Sequence, residues 1–287
     1  MLHPLVIDVS NLTKSYGGKT AVNGIDLQVR KGEVFALLGP NGAGKTTTVE
    51  ILEGYRDRDS GNVSVLGFDP NSKVSKSAER AWRDQIGIVL QTTMDALDLT
   101  VRETLTHFAK YYVNSKDPIS VIESVGLSEK IDEKIRTLSG GQRRRLDVAL
   151  GIIGKPELLF LDEPTTGFDP EARRAFWGLI RSLRDEGTSI LLTTHYLDEA
   201  EELADRVAVI NNGVIIEVAT PQTLGGRQNS KVEISWVENG NQQTIYSDTP
   251  TAEVKKLAER LGGEISGLTV TRPTLEDIYL KMIGENS

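Results

Sequence analysis

Gly39-Pro40-Asn41-Gly42-Ala43-Gly44-Lys45-Thr46-Thr47 carries the most specific chemistry in this sequence. It fits G-x-x-x-x-G-K-[ST], the pattern of a phosphate-cradling P-loop. Glycines let the backbone turn tightly enough for successive N–H groups to face one anion. A helix starting there adds its positive end. Lys45 can reach the β- and γ-phosphates of a nucleoside triphosphate, and the Thr46 hydroxyl can hold Mg²⁺. Such a site needs a strand before it and a helix after it. Glu33-Val34-Phe35-Ala36-Leu37-Leu38 reads as a short buried strand, and Thr46–Leu52 as a helix start. The plain alternative is a glycine-rich strand–helix turn with no ligand, which these flanks disfavour.

A second constellation follows further along. Leu158-Leu159-Phe160-Leu161 runs into Asp162-Glu163. Two acids at the end of a buried strand are costly unless used. Neighbours on a strand point to opposite sides. Asp162 is therefore expected toward Mg²⁺ and Glu163 toward an attacking water, as its base. The alternative is a pair of solvated loop acids.

Other residues carry two readings each. Tyr16, in a loop before the P-loop, stacks on a nucleotide base or is a packed surface tyrosine. Gln91 ends an apolar strand, Ile86 to Leu90, where it supplies a carbonyl to Mg²⁺, orients a water, or is a plain loop residue. His195 follows the strand Ser189–Thr194 and either donates to a γ-phosphate or is structural. Leu138-Ser139-Gly140-Gly141-Gln142 reads equally as a capping box and as a helix start whose bare N–H groups receive an anion. Arg143-Arg144-Arg145 comes next in that helix. About 100° separates successive members, so they form no single patch and read as a solvated face.

These candidates must be positioned by something, and the pattern is that of an α/β core. Val6–Val9 and Ile25–Val29 read as early strands, expected to pair antiparallel; the second alternates apolar and polar residues, so one of its faces is buried. Residues 92 to about 137 differ. Thr100 and Glu103 form a capping-box pattern, and Leu105, Phe108, Ala109 and Tyr112 continue at helical spacing. Ile119 to Val125 reads as a second helix, so this region is a helical insertion. Ala172, Phe176, Leu179, Ile180 and Leu183 mark one face of another helix. Val207–Ile210 and Val214–Ile216 flank Asn211-Asn212-Gly213, a hairpin signal. A polar, glycine-containing stretch after Thr220-Pro221 marks a boundary. The expected domains are 1–220 and a small unit, 221–287. In that unit Val232, Ile234 and Trp236 alternate as a strand, Val254, Leu257, Ala258 and Leu261 repeat as a helix, and Leu268-Thr269-Val270 is a short strand. Leu275, Ile278, Tyr279, Met282 and Ile283 form a stripe read as core.

Composition excludes several classes. The 287 residues contain no cysteine, so disulfides and thiolate metal sites are ruled out, and the three histidines are far apart. A net charge of −8 argues against broad nucleic-acid binding. No apolar run approaches the roughly 18 residues of a membrane span. Met1-Leu2-His3-Pro4 lacks the features of a signal peptide.

Taken in order, Tyr16, the P-loop at 39–47, Gln91, Leu138 to Gln142, Leu158 to Glu163, Asp169 and His195 resemble the ATP-binding subunit of ABC transporters, over residues 5 to about 225. The resemblance implies a P-loop NTPase core, with a RecA-like mixed sheet, an antiparallel β subdomain and the helical insertion, plus a small α+β C-terminal domain. It implies that Tyr16 stacks on adenine and that Gly39, Pro40, Asn41, Gly42, Ala43, Gly44, Lys45, Thr46 and Thr47 hold the phosphates. Thr46, Gln91 and Asp162 would serve Mg²⁺, Glu163 would be the catalytic base, and His195 the switch histidine. Ser139, Gly140, Gly141, Gln142 and Asp169 would act on ATP held by the opposite subunit. Phe168 stands where the family more often has Leu. Gln142 to Asp147 and Pro273 to Leu280 are similar to ABC-2 type exporters, including daunorubicin-resistance-like ATPases. The implied partners are ATP, a second copy or a paralogous ATP-binding subunit, and separate transmembrane permease chains docked at the helical insertion. The implied place is the cytoplasmic side of the membrane, peripherally bound. A soluble ABC-type ATPase and an importer subunit are the alternatives. The first usually carries two cassettes, coiled-coil insertions or Cys-rich sites, and none is visible in this sequence.

Overall fold

The computed structural model describes residues 4–89 and 98–284. Its contacts divide the chain into two compact units, with the division after Val218. Gln91 lies outside the described residues.

The first unit opens with β1 (Leu5–Tyr16) and β2 (Lys19–Arg30), followed by β3 (Val34–Leu38), α1 (Lys45–Leu52) and β4 (Ser60–Val65). β1 pairs antiparallel with both β2 and β4, giving a three-stranded sheet in the order β2-β1-β4. Tyr16 is the last residue of β1 rather than a loop residue, because the tight Gly17-Gly18 turn lets the hairpin pair out to Tyr16 and Lys19. Next come α2 (Lys76–Arg83), β5 (Ile86–Val89), α3 (Val101–Ala109), α4 (Pro118–Ser124) and α5 (Gly140–Ile152). α3 begins at the expected capping box on Thr100 and Glu103. It ends at Ala109, so Tyr112 lies beyond it, and α3, α4 and α5 pack on one another. The unit closes with β6 (Leu158–Asp162), α6 (Pro170–Asp185), β7 (Ser189–Thr194), α7 (Leu197–Leu203), β8 (Arg206–Asn211) and β9 (Val214–Ala219). Asn212 and Gly213 make the β8–β9 turn with positive φ of 50° and 78°, the geometry of a tight hairpin turn.

β3, β6 and β7 are buried at every position, as continuous apolar strands with both faces covered must be. They lie inside a six-stranded sheet of order β5-β6-β7-β3-β8-β9. The β6–β7 and β7–β3 pairings are parallel, with Asp162 opposite Thr193 and Leu38 opposite Thr194. The carboxyl ends of three adjacent strands thus stop at one level. Gly39, Glu163 and His195 each follow directly from one of them. In open α/β sheets that edge is where ligands bind.

The second unit holds β10 (Val232–Glu238), β11 (Asn241–Ser247), α8 (Pro250–Leu261), β12 (Thr269–Thr271) and α9 (Leu275–Gly284). The sheet is antiparallel, in the order β11-β10-β12. Ile234, Trp236 and Leu257 form its core, with Ile245, Val254, Leu261, Ile265 and Leu268 packed against them. Leu275, Ile278 and Tyr279 of α9 are buried.

Candidate nucleotide site

The loop from Gly39 to Gly44 is built to lie close to other backbone. A Cβ on Gly39 would collide with the Ile210 carbonyl oxygen, and one on Gly44 with that of Ala21. Gly44 also caps α1 with φ 107°, in a region that favours glycine. Beside this loop is a cleft of about 560 Å³. Tyr16, Lys19, Ala21, Asn41, Gly42, Gly44, Lys45, Thr46, Thr47 and Glu163 line it. The structure therefore brings the aromatic, the phosphate loop and the second acid to one cavity. Lys14 and Arg56 sit 5.4 and 5.3 Å from the centre of the Tyr16 ring.

Lys45 is buried at 5% exposure. Its Nζ donates to the Gly39 carbonyl at 2.8 Å and the Pro40 carbonyl at 3.2 Å, and lies 3.7 Å from Glu163 Oε1. Burial pulls the ammonium below its usual pKa, while the Glu163 and Asp162 carboxylates push it back up.

Asp162 is the last residue of β6, and its Oδ1 accepts from the Thr193 hydroxyl. Glu163 has already left the strand, with a left-handed backbone at φ 46°. The two carboxylates are separated by this backbone turn and not by strand alternation, which corrects the expectation above. Such a conformation is costly for a side-chain-bearing residue and needs support. The Glu163 N–H supplies part of it, donating to both Thr193 O and Thr193 Oγ1 at 3.1 Å. His195 places Nδ1 3.1 Å from Glu163 Oε1, without hydrogen-bond alignment. Its ring leans on Tyr196 at 4.1 Å between centroids.

Ser139 to Gln142 and Asp169 do not line this cleft. The capping box forms: Ser139 N–H donates to Gln142 Oε1 at 2.9 Å, and Gln142 N–H to Ser139 Oγ at 3.3 Å. It engages the Gln142 N–H, not those of Gly140 and Gly141, and a Cβ on Gly140 would meet open space. Both readings of this stretch are thus compatible with one geometry. Asp169 caps α6, accepting from Ala172 N–H at 2.8 Å. Phe168 before it is buried edge-on against Phe176.

Three positions escaped the sequence reading. Thr193 ties Asp162 to Glu163, a role readable only once the β6–β7 register is known. Arg144 is not on a solvated face: it is 8% exposed and donates to the Asp162 and Pro164 carbonyls. Turning about 100° per residue leaves one of three consecutive arginines facing inward, and packing of α5 selects the middle one. Glu53, the C-cap of α1, is 5% exposed. Burial, then Asp162 and Glu50, push its carboxyl from 4.5 up to about 8.

That last shift has a stability consequence. The folded chain keeps the Glu53 proton where the unfolded chain releases it. Stability present below about pH 4.5 is thus lost as pH rises toward about 8. Glu53→Gln cannot ionise. Without nucleotide, it should match wild type at pH 5 and exceed it by roughly 2–4 kcal/mol at pH 8. Urea melts at the two pH values measure this, and equal stabilities at pH 8 would place the Glu53 proton elsewhere.

A parallel sheet with a P-loop at its carboxyl edge and an acid pair on the strand two positions over defines a P-loop nucleoside triphosphatase. A family model described as ABC transporter matches residues 22–166, and this chain belongs to the ABC transporter family, with the activity of an ABC-type ATPase. Nod factor export ATP-binding protein I of Rhizobium johnstonii is 37% identical over 305 residues, spanning 99% of this chain and 96% of that protein. The linearmycin resistance ATP-binding protein of Bacillus subtilis is 33% identical, spanning 97% of this chain and 98% of that protein. Among solved structures, a part of a Clostridium perfringens ABC transporter complex is 29% identical with a TM-score of 0.67, covering 76% of this chain and 89% of that one. An ATP-binding subunit of an ABC transporter shares the fold, with a TM-score of 0.71 at 21% identity, over 97% of this chain and 99% of that one.

Proposed function

We propose that this chain is the ATP-hydrolysing subunit of a membrane exporter, working as a dimer of ATP-binding subunits docked on separate permease chains. The observation that carries the reading is the division of the site. Tyr16, the phosphate loop, Lys45 and Glu163 share one cleft, while Ser139 to Gln142 stand apart from it at the exposed start of α5. Each chain thus offers two half-sites, and a head-to-tail pair would complete both. No helix among the described residues is long and apolar enough to cross a membrane, so the chain relies on partner chains for the route. Relatives named for export match along nearly its whole length. They support outward transport; that the cargo is a drug, lipid, polysaccharide or similar compound and that the chain sits at the cytoplasmic face belong to the proposal.

The lining of the cleft supports the roles given in this reading to Tyr16, the phosphate loop and Glu163. Gly39 to Thr47 and Lys45 hold the triphosphate, and Tyr16 receives the adenine. Thr46 and Asp162 are the candidates to hold the Mg²⁺ that arrives with ATP, and Gln91, outside the described residues, joins them from the sequence alone. The fit is chemical: a hydroxyl and a carboxylate oxygen are hard donors, and Mg²⁺ is commonly held by one or two carboxylates plus substrate phosphates. No cluster of three acidic, His or Cys side chains suited to a resident ion occurs among the described residues. Glu163 accepts the proton of the attacking water, His195 steadies the γ-phosphate side, and Lys45 takes up charge as the bond to the leaving phosphate breaks. ATP closes the dimer, and hydrolysis reopens it.

Co-expression with candidate permease chains tests the coupling. The expected result is co-purification and ATP turnover that rises on reconstitution with the permease. ATP turnover that ignores every membrane partner would favour an ABC ATPase not coupled to transport.

A further inference from the structure

Arg144 is the residue whose placement the site's chemistry leaves unexplained. It sits one turn into α5, the helix capped by Ser139. Its neighbours reach sideways over the surface: Arg143 donates to the Arg136 carbonyl at 3.0 Å and Arg145 to the Gly126 carbonyl at 3.4 Å. Arg144 alone of the three turns inward. Its Nε donates to the Pro164 carbonyl at 3.1 Å and one terminal nitrogen to the Asp162 carbonyl at 2.6 Å. Those two carbonyls stand immediately before and after Glu163.

A buried guanidinium is expensive, and a residue of equal size without charge would pack there at lower cost. What arginine supplies is a rigid planar fork that can hold two acceptors at fixed separation. The acceptors here bracket a residue with φ 46°. Thr193 holds the Glu163 N–H from β7, and Arg144 holds the flanking carbonyls from α5. The Glu163 turn is thereby fixed from two elements, one of which carries the exposed Ser139 to Gln142 stretch. Burial pulls the guanidinium below its usual pKa, while Asp147, Asp162, Glu199 and Glu163, in falling order, push it back up.

We infer that Arg144 is a positioning residue that couples the two nucleotide sites of the dimer. When the start of α5 engages ATP on the opposite subunit, the guanidinium carries that displacement to the backbone around Glu163 of its own site. This rests on the proposed roles of Ser139 to Gln142 and of Glu163. It adds that hydrolysis at one site is gated by engagement at the other, through one side chain.

The test compares wild type, Arg144→Lys, Arg144→Gln and Glu163→Gln as full-length chains with their permease. Lysine keeps the charge but replaces the planar fork, whose Nε and terminal nitrogen each hold one carbonyl, with a single donor atom on a flexible stem. Turnover per folded dimer, KM for ATP, the Hill coefficient and the melting temperature are measured. Arg144→Lys is expected to lower kcat on the order of 10²-fold, with KM within about twofold and the Hill coefficient falling toward one. A dimer of Arg144→Lys/Glu163→Gln should still form with ATP. A folded Arg144→Lys with wild-type kcat and Hill coefficient overturns the coupling while leaving the role of Glu163 intact. If neither arginine variant melts cooperatively, the residue is structural and the coupling is overturned. Turnover by Glu163→Gln equal to wild type would overturn both the coupling and the role of Glu163 beneath it.

Discussion

Glu163→Gln should bind ATP as wild type does, lose turnover by on the order of 10³-fold, and accumulate as a nucleotide-bound dimer. Glutamine keeps the size and shape of the side chain, so the cleft it lines with Lys45 and Gly42 is unchanged. The supports of the unusual backbone are main-chain bonds to Thr193 and around Pro164, and these do not involve the carboxylate. What is lost is an anionic acceptor. An amide oxygen is too weak a base to take the proton of an attacking water, and general-base catalysis contributes roughly 10²–10⁴-fold. Lys45 loses its contact at 3.7 Å and becomes freer to serve the phosphates. Phosphate release under steady-state conditions, beside size-exclusion chromatography in ATP and Mg²⁺, measures both halves of the expectation. Near-normal turnover would remove Glu163 from the role of base and leave His195 as the side chain nearest to it.

What the sequence makes legible is what depends on local spacing. The P-loop depends on glycines fixed relative to one lysine, and β3 and α1 follow from apolar runs on either side. The acid pair is readable because four apolar residues precede it. Strand alternation does not separate the two carboxylates, however, because alternation ends where pairing ends, and β6 stops at Asp162. Where a residue's role depends on how elements face each other, the sequence is silent. Arg144 is one of three consecutive arginines, and only the packing of α5 decides which one turns inward. Thr193 needs the β6–β7 register. β11 was missed because Asn241 to Thr244 is polar and exposed, with no alternation to mark a strand; its pairing with β10 makes it one. The α3 stripe continued past the end of the helix, because apolar spacing does not reveal where hydrogen bonding stops.

Lys45→Met should lose binding and hydrolysis together, where Glu163→Gln loses hydrolysis alone. Methionine keeps most of the apolar stem, so the variant chiefly removes the ammonium. In the wild type that ammonium holds the Gly39 and Pro40 carbonyls, which shape the entrance of the loop, and faces Glu163. Burial lowers its pKa, and Glu163 and Asp162 together push it back up. Without it, a polyanionic triphosphate would meet two uncompensated carboxylates, and each lost charge-assisted bond costs roughly 1.5–3 kcal/mol. ATP affinity should fall by about 10²-fold or more, and turnover should be lost with it. The apo chain should also be less stable by roughly 1–3 kcal/mol, because Glu163 is left half of a buried pair. Lys45→Met/Glu163→Gln should recover most of that stability and none of the affinity. A repaired melting temperature with absent binding assigns the stability loss to the pair and the affinity loss to the phosphates. Tight ATP binding by Lys45→Met, measured by calorimetry, would instead put the triphosphate outside the Gly39–Thr47 loop, and the cleft would need another ligand.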